Sequence, residues 1–459
     1  MSEIIIPGTS RRDFIKTTGR VAAASALAGV TLPFVHGQEA VREGGSNIAV
    51  IGCGGRGTGA VANALSVTGA PLKLVAMADV SESKLKSSYN GLKSQFAGQM
   101  DVPAERQFIG FDAFKKAIDC LKPNDIAIFT TPCAFRWVQF QYAIEKGINV
   151  FMEKPLITDG PGARRMYALA EESLKKPMKV AVGLMCRHCT ARGELYKRIH
   201  NGEIGDITHF RTYRMQGPVA SCFSEPKPAD KKELLWQIER FHSFLWASGG
   251  SFSDYMIHNI DECCWMKDSF PVKAMATGGR HDRGNNVDQN FDHYSVEYIF
   301  NDGVRLFMEQ RNVTGCQDEF ASYVHGTKGM AVISSAGHSP AKCRIFKGQE
   351  IKSENLLWKA EQPEPNPYQT EWDDFMAAIR ENRPYNEVKR SIEASLTCVM
   401  GRMAAHTGQM ITWEDALNSD QEFAPNVDKL TLDSDAPLMA DAKGRYPVPM
   451  PGLNKKHEY

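Results

Sequence analysis

The stretch that most constrains this chain is "NIAVIGCGGRGTG", an apolar strand-like run that breaks into Gly52-Cys53-Gly54-Gly55-Arg56-Gly57 and continues as a helix-like segment. Strand, glycine turn and helix in that order open a βαβ unit. In such a unit the first glycine makes the tight turn, the second lets the backbone approach a pyrophosphate, and the last lets helix and strand pack closely. Amides at the start of the helix then face the phosphates. Glycines used only for close packing would leave Asp79 unexplained, twenty-two residues past Gly57 at the end of the next apolar run, "LKLVAMAD". A carboxylate there accepts hydrogen bonds from a ribose 2′-hydroxyl and repels a 2′-phosphate, which predicts NAD over NADP. Arg56 points the other way, because a guanidinium in the loop suits that phosphate.

Further apolar runs, "DIAIFTT", "INVFME" and "KVAVGL", alternate with amphipathic stretches as far as about Gly183, the pattern of a parallel α/β sheet. "FTTPCAFR" and "GINVFMEKPL" close two of these strands. Thr131, Pro132, Glu153 and Lys154 therefore fall at carboxyl ends, where open α/β sheets bind ligands. After Arg187 the pattern changes to strand-like runs such as "THFRTYRMQ", "HYSVEYIF" and "VRLFMEQR", with turns such as "NDGV" and "GTKG" between them. Two helix-like segments, "YQTEWDDFMAAIRENRP" and "VKRSIEASLTCVMGRMAAHTG", come late.

In "ASGGSFSDYMIHNIDECCWM" a helix would present Asp254, His258 and Asp261 on one face. Taken alone, Ser251-x-x-Asp254 reads as a helix cap and His258 as a core histidine. Taken with the glycine turn, "TTP", "EKP" and "VGLMCRH", however, the chain resembles the Gfo/Idh/MocA (glucose-fructose oxidoreductase/inositol dehydrogenase) family over nearly its whole length. The resemblance implies an α/β chain: a Rossmann domain over 45–186, then an α/β domain over 187–440 with a largely antiparallel open sheet, late helices returning to the first domain, and a tail over 441–459. It implies oxidation of a sugar or polyol hydroxyl and a homo-oligomer. By the same resemblance Asp254 and His258 match the family's Asp-x-x-x-His and Lys154 its Glu-Lys-Pro lysine. His258 is then the general base, Lys154 orients substrate and stabilises the developing alkoxide, and Asp254 orients the histidine or holds a hydroxyl, the last two roles being partly exchangeable. Arg187 and His188 contact substrate or form a domain-junction salt bridge. Arg136 departs from the pattern, standing where many members have histidine.

Fifty-four basic residues balance fifty-four acidic ones, which argues against nucleic acid and for a small, neutral or weakly charged ligand. Eleven cysteines lack paired zinc-finger spacing at Cys186-Arg187-His188-Cys189 or at Cys263-Cys264, so no metal is expected and buried thiols are. Residues 1–37 read as a signal: "SRRDFIK", with Arg11, Arg12 and Lys16, resembles a twin-arginine motif before the apolar run Val21 to Val35. Cleavage before Gln38 suits Val35 and Gly37, an uncleaved anchor being the alternative. The expectation is a periplasmic protein carried by the twin-arginine translocase already folded. With no evident external pool of dinucleotide, the cofactor should stay bound and be restored every turnover. Two other readings stand beside this one. A redox-assisted glycosidase or lyase would need a second acid/base, Tyr255 or His188; a non-catalytic sensor would not need the intact Lys154, Asp254 and His258 set.

Overall fold

The computed structural model describes residues 45–459 apart from Ala70 and Asp282, so the export motif with Arg11, Arg12 and Lys16 lies outside the described residues. Strands β1 (Asn47–Ile51), β2 (Lys73–Asp79), β3 (Gln107–Ile109), β4 (Ile126–Phe129), β5 (Asn149–Met152) and β6 (Val180–Val182) form one sheet. Their order is β3-β2-β1-β4-β5-β6, every pair parallel. Helices α1 (Gly55–Leu65), α2 (Glu82–Phe96), α3 (Ala113–Ile118), α4 (Arg136–Lys146) and α5 (Gly160–Leu174) make the crossovers. Both faces of the central strands are covered, which is why "NIAVI" and "IAIF" are continuous apolar runs rather than alternating ones. The strand order reverses between β1 and β4, so the loops that follow these strands diverge and leave a crevice at their carboxyl ends.

Helix α6 (Thr190–His200) leads into β7 (Ile207–Gln216). Residues 217–249 then leave the sheet in an excursion that holds α7 (Glu233–Glu239) and α8 (Leu245–Ser248), and α9 (Gly250–Lys267) follows. Strands β8 (Lys273–Gly279), β9 (His293–Ile299), β10 (Arg305–Asn312), β11 (Glu319–Gly326), β12 (Gly329–Ser335), β13 (Arg344–Lys347) and β14 (Leu356–Lys359) precede α10 (Pro367–Arg380), α11 (Val388–Thr407), β15 (Ile411–Thr412) and α12 (Trp413–Asn418). The second sheet runs β14-β13-β12-β11-β7-β10-β9-β8-β15 and is antiparallel except where β7 pairs with β10. This is the α/β class that the sequence predicts.

Burial alternates along β9 and β10, and α9 and α11 cover one face while Met275 and Phe307 stand exposed on the other. Helix α10 returns to the first sheet, where Trp372 stacks on Phe151 with ring centroids 4.5 Å apart. Most of the stretch 441–459, expected as a tail, is exposed, but it is anchored at two points: Tyr446 meets Trp236 and Phe244, and Glu458 is buried against Arg402 and His406. All eleven cysteines are free thiols, and most are buried.

Candidate active site

The glycine turn divides into two pairs with different physical roles. Gly52 has φ +96°, and a Cβ there would lie 2.8 Å from the Thr130 and Thr131 backbone; a Cβ on Gly57 would lie 1.9 Å from the Gly52 carbonyl. These two are required by the fold. Cβ positions on Gly54 and Gly55 meet no protein atom within 4 Å, and α1 starts at Gly55 with no side chain capping it. Open space in front of uncapped helix amides is what a pyrophosphate needs. Asp79, at the carboxyl end of β2, accepts from the Cys53 amide at 2.6 Å and the Ser81 amide at 2.8 Å. The Cys53 thiol is buried against the Ala78 carbonyl, so Cys53 offers the turn only its backbone.

A cleft of about 670 Å³ opens here, lined by Gly52, Gly54, Asp79, Thr131 and Pro132 on one side and by part of the 217–249 excursion on the other. Its size is that of a cofactor site, roughly 300–1,000 Å³. Turn, carboxylate and cleft together fit a nicotinamide dinucleotide. Arg56 does not face this cleft: its guanidinium pairs with Glu153 and with Glu371 at 3.3 Å and lies 4.8 Å over the Tyr368 ring. Two buried carboxylates, Glu153 and Glu371, need that cation between them; burial and the Glu153 charge push the Glu371 carboxyl well up. The side chains of Arg56 and Glu153 are therefore spent on each other. Arg136 is also structural, buried and donating to the Phe129 carbonyl at 2.7 Å and the Thr131 carbonyl at 3.0 Å. It fixes the loop after β4 on which Thr131 and Pro132 sit.

Strands β4 and β5 are paired with Phe129 opposite Met152, so Thr131 and Lys154 leave neighbouring strands at the same level. Helix α9 brings the other candidates to Lys154. Its start is set by Gly249 and Gly250, both at positive φ, and a Cβ on Gly250 would lie 2.6 Å from Asn290 Oδ1. The first amides of α9 are taken by Ser248 Oγ at 3.1 Å and Asn290 Oδ1 at 2.9 Å, so the capping role for Ser251 and Asp254 is not used. Lys154 Nζ donates to the Asp254 carbonyl at 2.9 Å and lies 3.5 Å from Asp254 Oδ1. Burial opposes ionisation of Asp254, but the Lys154 ammonium, His242 and Arg214 hold its carboxyl well below the usual range. His258 makes no hydrogen bond among the described residues, and its Nδ1 is fully enclosed. Burial, with Lys154 and Arg214 adding, drives the imidazole well below its ordinary 6.5, so it is neutral at pH 7 and open to a proton.

Three further groups reach this cluster without any motif in the sequence. His242 Nε2 is 3.3 Å from Asp254 Oδ2, and its Nδ1 is 2.8 Å from Ser221 Oγ. Arg214 donates to the Tyr255 carbonyl at 2.6 Å and lies 3.3 Å from His338 Nε2, while the His338 ring sits 4.7 Å from that of His258. They come from the excursion, from β7 and from the loop after β12, segments that only the tertiary fold brings together. Cys186, Glu262 and His338 place ligand-type atoms within 4.8 Å of one another. Glu262 is already held by Arg192 at 2.7 Å and Ser334 at 2.7 Å, so a metal ion there would have to displace a guanidinium.

Arg187 and His188 lie outside the cluster, in ion pairs. Arg187 makes a two-pronged pair with Asp261 at 2.8 Å, and His188 bonds Asp374 at 2.7 Å with Glu387 3.5 Å away. Burial opposes the charge on His188, but these carboxylates raise it to about 9 from an ordinary 6.5. The folded state thus keeps a proton that the unfolded chain has lost above pH 6.5, and this stability disappears as pH rises through about 9. His258 has the opposite sign, since its depressed value costs stability as pH falls below 6.5. Calorimetry of the chain and of His188→Gln between pH 6 and 10 should find the alkaline loss of melting temperature flattened in the variant. An unchanged alkaline arm would reject the role of this pair.

Solved structures of similar fold include the aldose-aldose oxidoreductase from Caulobacter crescentus complexed with glycerol, at 17% identity, covering 80% of this chain and 99% of that one with TM-score 0.61. Levoglucosan dehydrogenase in complex with NADH and levoglucosan matches at 18% identity, with coverages of 80% and 99% and TM-score 0.60. Myo-inositol 2-dehydrogenase from Lactobacillus plantarum matches at 20% identity, with coverages of 80% and 99% and TM-score 0.58. No curated protein matches the chain. At the level of family, residues 46–182 match the oxidoreductase family with NAD-binding Rossmann fold, and residues 194–332 match the GFO/IDH/MocA C-terminal domain. With the glycine turn, Asp79 and the Lys154 cluster arranged as described, and both domains of one family matched in order, the chain belongs to the Gfo/Idh/MocA family of NAD(P)-dependent oxidoreductases.

Proposed function

We propose that this protein transfers hydride between a secondary hydroxyl of a sugar or polyol and a nicotinamide dinucleotide, with NAD preferred to NADP. The observation that carries this reading is the meeting of Lys154, Asp254 and a neutral, unpartnered His258 where the first sheet presents its carboxyl ends. Gly54, Gly55 and Asp79 would hold the dinucleotide, which supplies the hydride acceptor when bound. His258 receives the hydroxyl proton as the carbon–hydrogen bond is cleaved. Lys154 faces the oxygen that gains negative charge, and Asp254 keeps that ammonium in position. Solved relatives named for inositol, aldose and levoglucosan chemistry support the substrate class.

The redox-assisted glycosidase or lyase reading finds less support. Tyr255, buried, gives its hydroxyl to the Val219 carbonyl at 2.7 Å, and burial pushes its pKa up; His188 is committed to Asp374. To test the whole reading, ligand released from denatured protein is identified by mass and absorbance, and hydride transfer is followed by the absorbance of the reduced nicotinamide against a panel of sugars and polyols. Failure to bind either dinucleotide would end it.

NAD preference has its own test. Asp79→Ala removes both a hydroxyl acceptor and a repulsive charge, so the NAD over NADP ratio should fall by about 1–3 kcal/mol of discrimination in titration calorimetry. Arg56 will not compensate, being held by Glu153 and Glu371. Equal affinities in the unmutated chain would exclude the preference.

The same reading extends to location: export by the twin-arginine translocase into the periplasm with the dinucleotide already loaded and retained. Gly54 has φ −74° and free space around its Cβ position, so Gly54→Val should fold and yet obstruct the pyrophosphate. Protein outside the inner membrane is measured for wild type, Gly54→Val and Arg11→Lys/Arg12→Lys. Normal export of an apo Gly54→Val protein would separate loading from export.

A further inference from the structure

The cofactor cleft has a second wall that belongs to the other domain. Across from Gly54 and Asp79 it is lined by Lys231, Leu235, Trp236, Ile238 and Phe241, all on the excursion between β7 and α9. This wall is built into the fold. Trp236, Ile238, Phe244 and Trp246 share a separate apolar core with Phe423, Val427 and Tyr446 from the end of the chain and with Ala134 from the loop after β4. Rings bridge the two domains: Phe111 lies 5.9 Å from Phe135, which lies 6.1 Å from Trp246.

Polar anchors fasten the wall to residues 432–438. Lys232 reaches Asp433 at 2.7 Å and the Leu432 carbonyl at 3.1 Å, and Gln237, fully buried, donates to the Leu438 carbonyl at 2.7 Å and accepts from the Trp246 indole at 2.6 Å. Lys232 and Asp433 are exposed and contribute little, whereas Gln237, buried and bonded through both its amide atoms, favours one position of the element over others. Leu235 differs from its neighbours, being half-buried, on the cleft and outside that core. The wall thus has one side that meets the cleft and another that is tied down.

We propose that residues 230–241 form a roof over the dinucleotide, and that the core tying this roof to residues 423–446 sets how fast the cofactor enters and leaves. The proposal rests on the assignment of the cleft to a dinucleotide. A ligand lying between the glycine turn and a roof anchored this way cannot leave unless the roof lifts, and lifting exposes Trp236 and breaks the Gln237 bonds. The roof is equally an obstacle to entry. It therefore slows association and dissociation together, in contrast to a simple contact, whose loss acts mainly on dissociation. Slow release would let one bound dinucleotide be oxidised and reduced many times without exchange. Phe241 lines the cleft and the next residue, His242, lies 3.3 Å from Asp254, so the roof ends beside the imidazole that meets this carboxylate.

The test uses the full-length chain loaded with isotopically labelled NAD, chased with excess unlabelled NAD, with release followed by filtration and association followed by intrinsic tryptophan fluorescence. Wild type should release over hours. Gln237→Ala, which cuts the buried bonds to the Leu438 carbonyl and the Trp246 indole without lining the cleft, should raise the rates of release and of association each by about tenfold or more, leaving the affinity changed far less than either rate. Leu235→Ala, which leaves the anchoring core intact, should still fold as wild type and speed release by a smaller factor. Wild type exchanging within seconds while still binding NAD would overturn the roof and leave the oxidoreductase reading standing. Faster release with unchanged association in both variants would reduce the roof to an ordinary contact and also overturn the proposal. No binding in wild type would remove both.

Discussion

His258→Ala should lower turnover by about a hundredfold or more, the usual loss on removing a general base, with cofactor affinity and folding nearly unchanged. Alanine leaves no partner stranded, because His258 makes no hydrogen bond among the described residues. Lys154→Ala should depress turnover to a similar degree, and it carries a second, sharper signature. The Lys154 ammonium is one cause of the depressed His258 value, after burial. In wild type the acid limb of kcat/KM therefore lies well below 6.5, because His258 must be neutral to act; without the ammonium that limb should move up toward 6.5. Stopped-flow rates from pH 4.5 to 8 on both variants decide the matter. Turnover of His258→Ala within a few-fold of wild type, or an acid limb that Lys154→Ala does not shift, would return His258 to the role of a core histidine.

Arg402→Met should cost about 3–5 kcal/mol of stability, the loss expected when one partner of a buried ion pair is removed and the other charge is left behind. Arg402 is fully buried and holds Glu458 through both carboxylate oxygens at 2.8 Å. It also donates to the Gly249 carbonyl at 3.0 Å, Ser253 Oγ at 3.0 Å and the Thr158 carbonyl at 2.8 Å. One guanidinium thus joins the start of α9, the loop beyond Lys154 and the last residues of the chain. Burial opposes the charge on Glu458, but Arg402 and His406 lower it to about 2 from an ordinary 4.5. The stability from Glu458 is present above pH 4.5 and is lost as pH falls toward 2. Glu458→Gln should therefore destabilise at pH 7 and show a flatter acid arm in urea denaturation. Arg402→Met/Glu458→Met, which removes both charges, should recover much of the single-variant loss. A cost below about 1 kcal/mol for Arg402→Met would mean that the pair is solvated in solution.

What could be read from the residues follows the range over which each signal acts. The glycine turn, Asp79 and the apolar strands are local: a missing Cβ, a strand period and a turn depend on neighbours in sequence, so the parallel sheet and its crevice were legible from "NIAVIGCGGRGTG" onward. Two short motifs single out Lys154, Asp254 and His258 as candidates, and the fold brings Lys154 and Asp254 within 3.5 Å of each other. The partners of Arg56, Arg187 and His188 could not be read. Glu371, Asp261, Asp374 and Glu387 lie far along the chain, and a charged side chain in sequence does not reveal which opposite charge the packing will place beside it.

The same reason separates the two halves of the site. By itself the sequence determined the βαβ turn that can face a pyrophosphate, the carboxylate that can face a ribose, and the helix face that carries an acid and an imidazole, because each of these is a property of a few adjacent residues. Only the tertiary structure decided that Arg56 turns from the cleft to Glu153 and Glu371, that His242, Arg214 and His338 gather around the helix carrying Asp254 and His258, that Tyr446 and Glu458 near the end of the chain are buried, and that an excursion of the second domain lines one side of the cleft. These arrangements arise where buried charges must find partners and apolar faces must find cover, and the partner is whatever the folded chain brings near, at any distance in sequence.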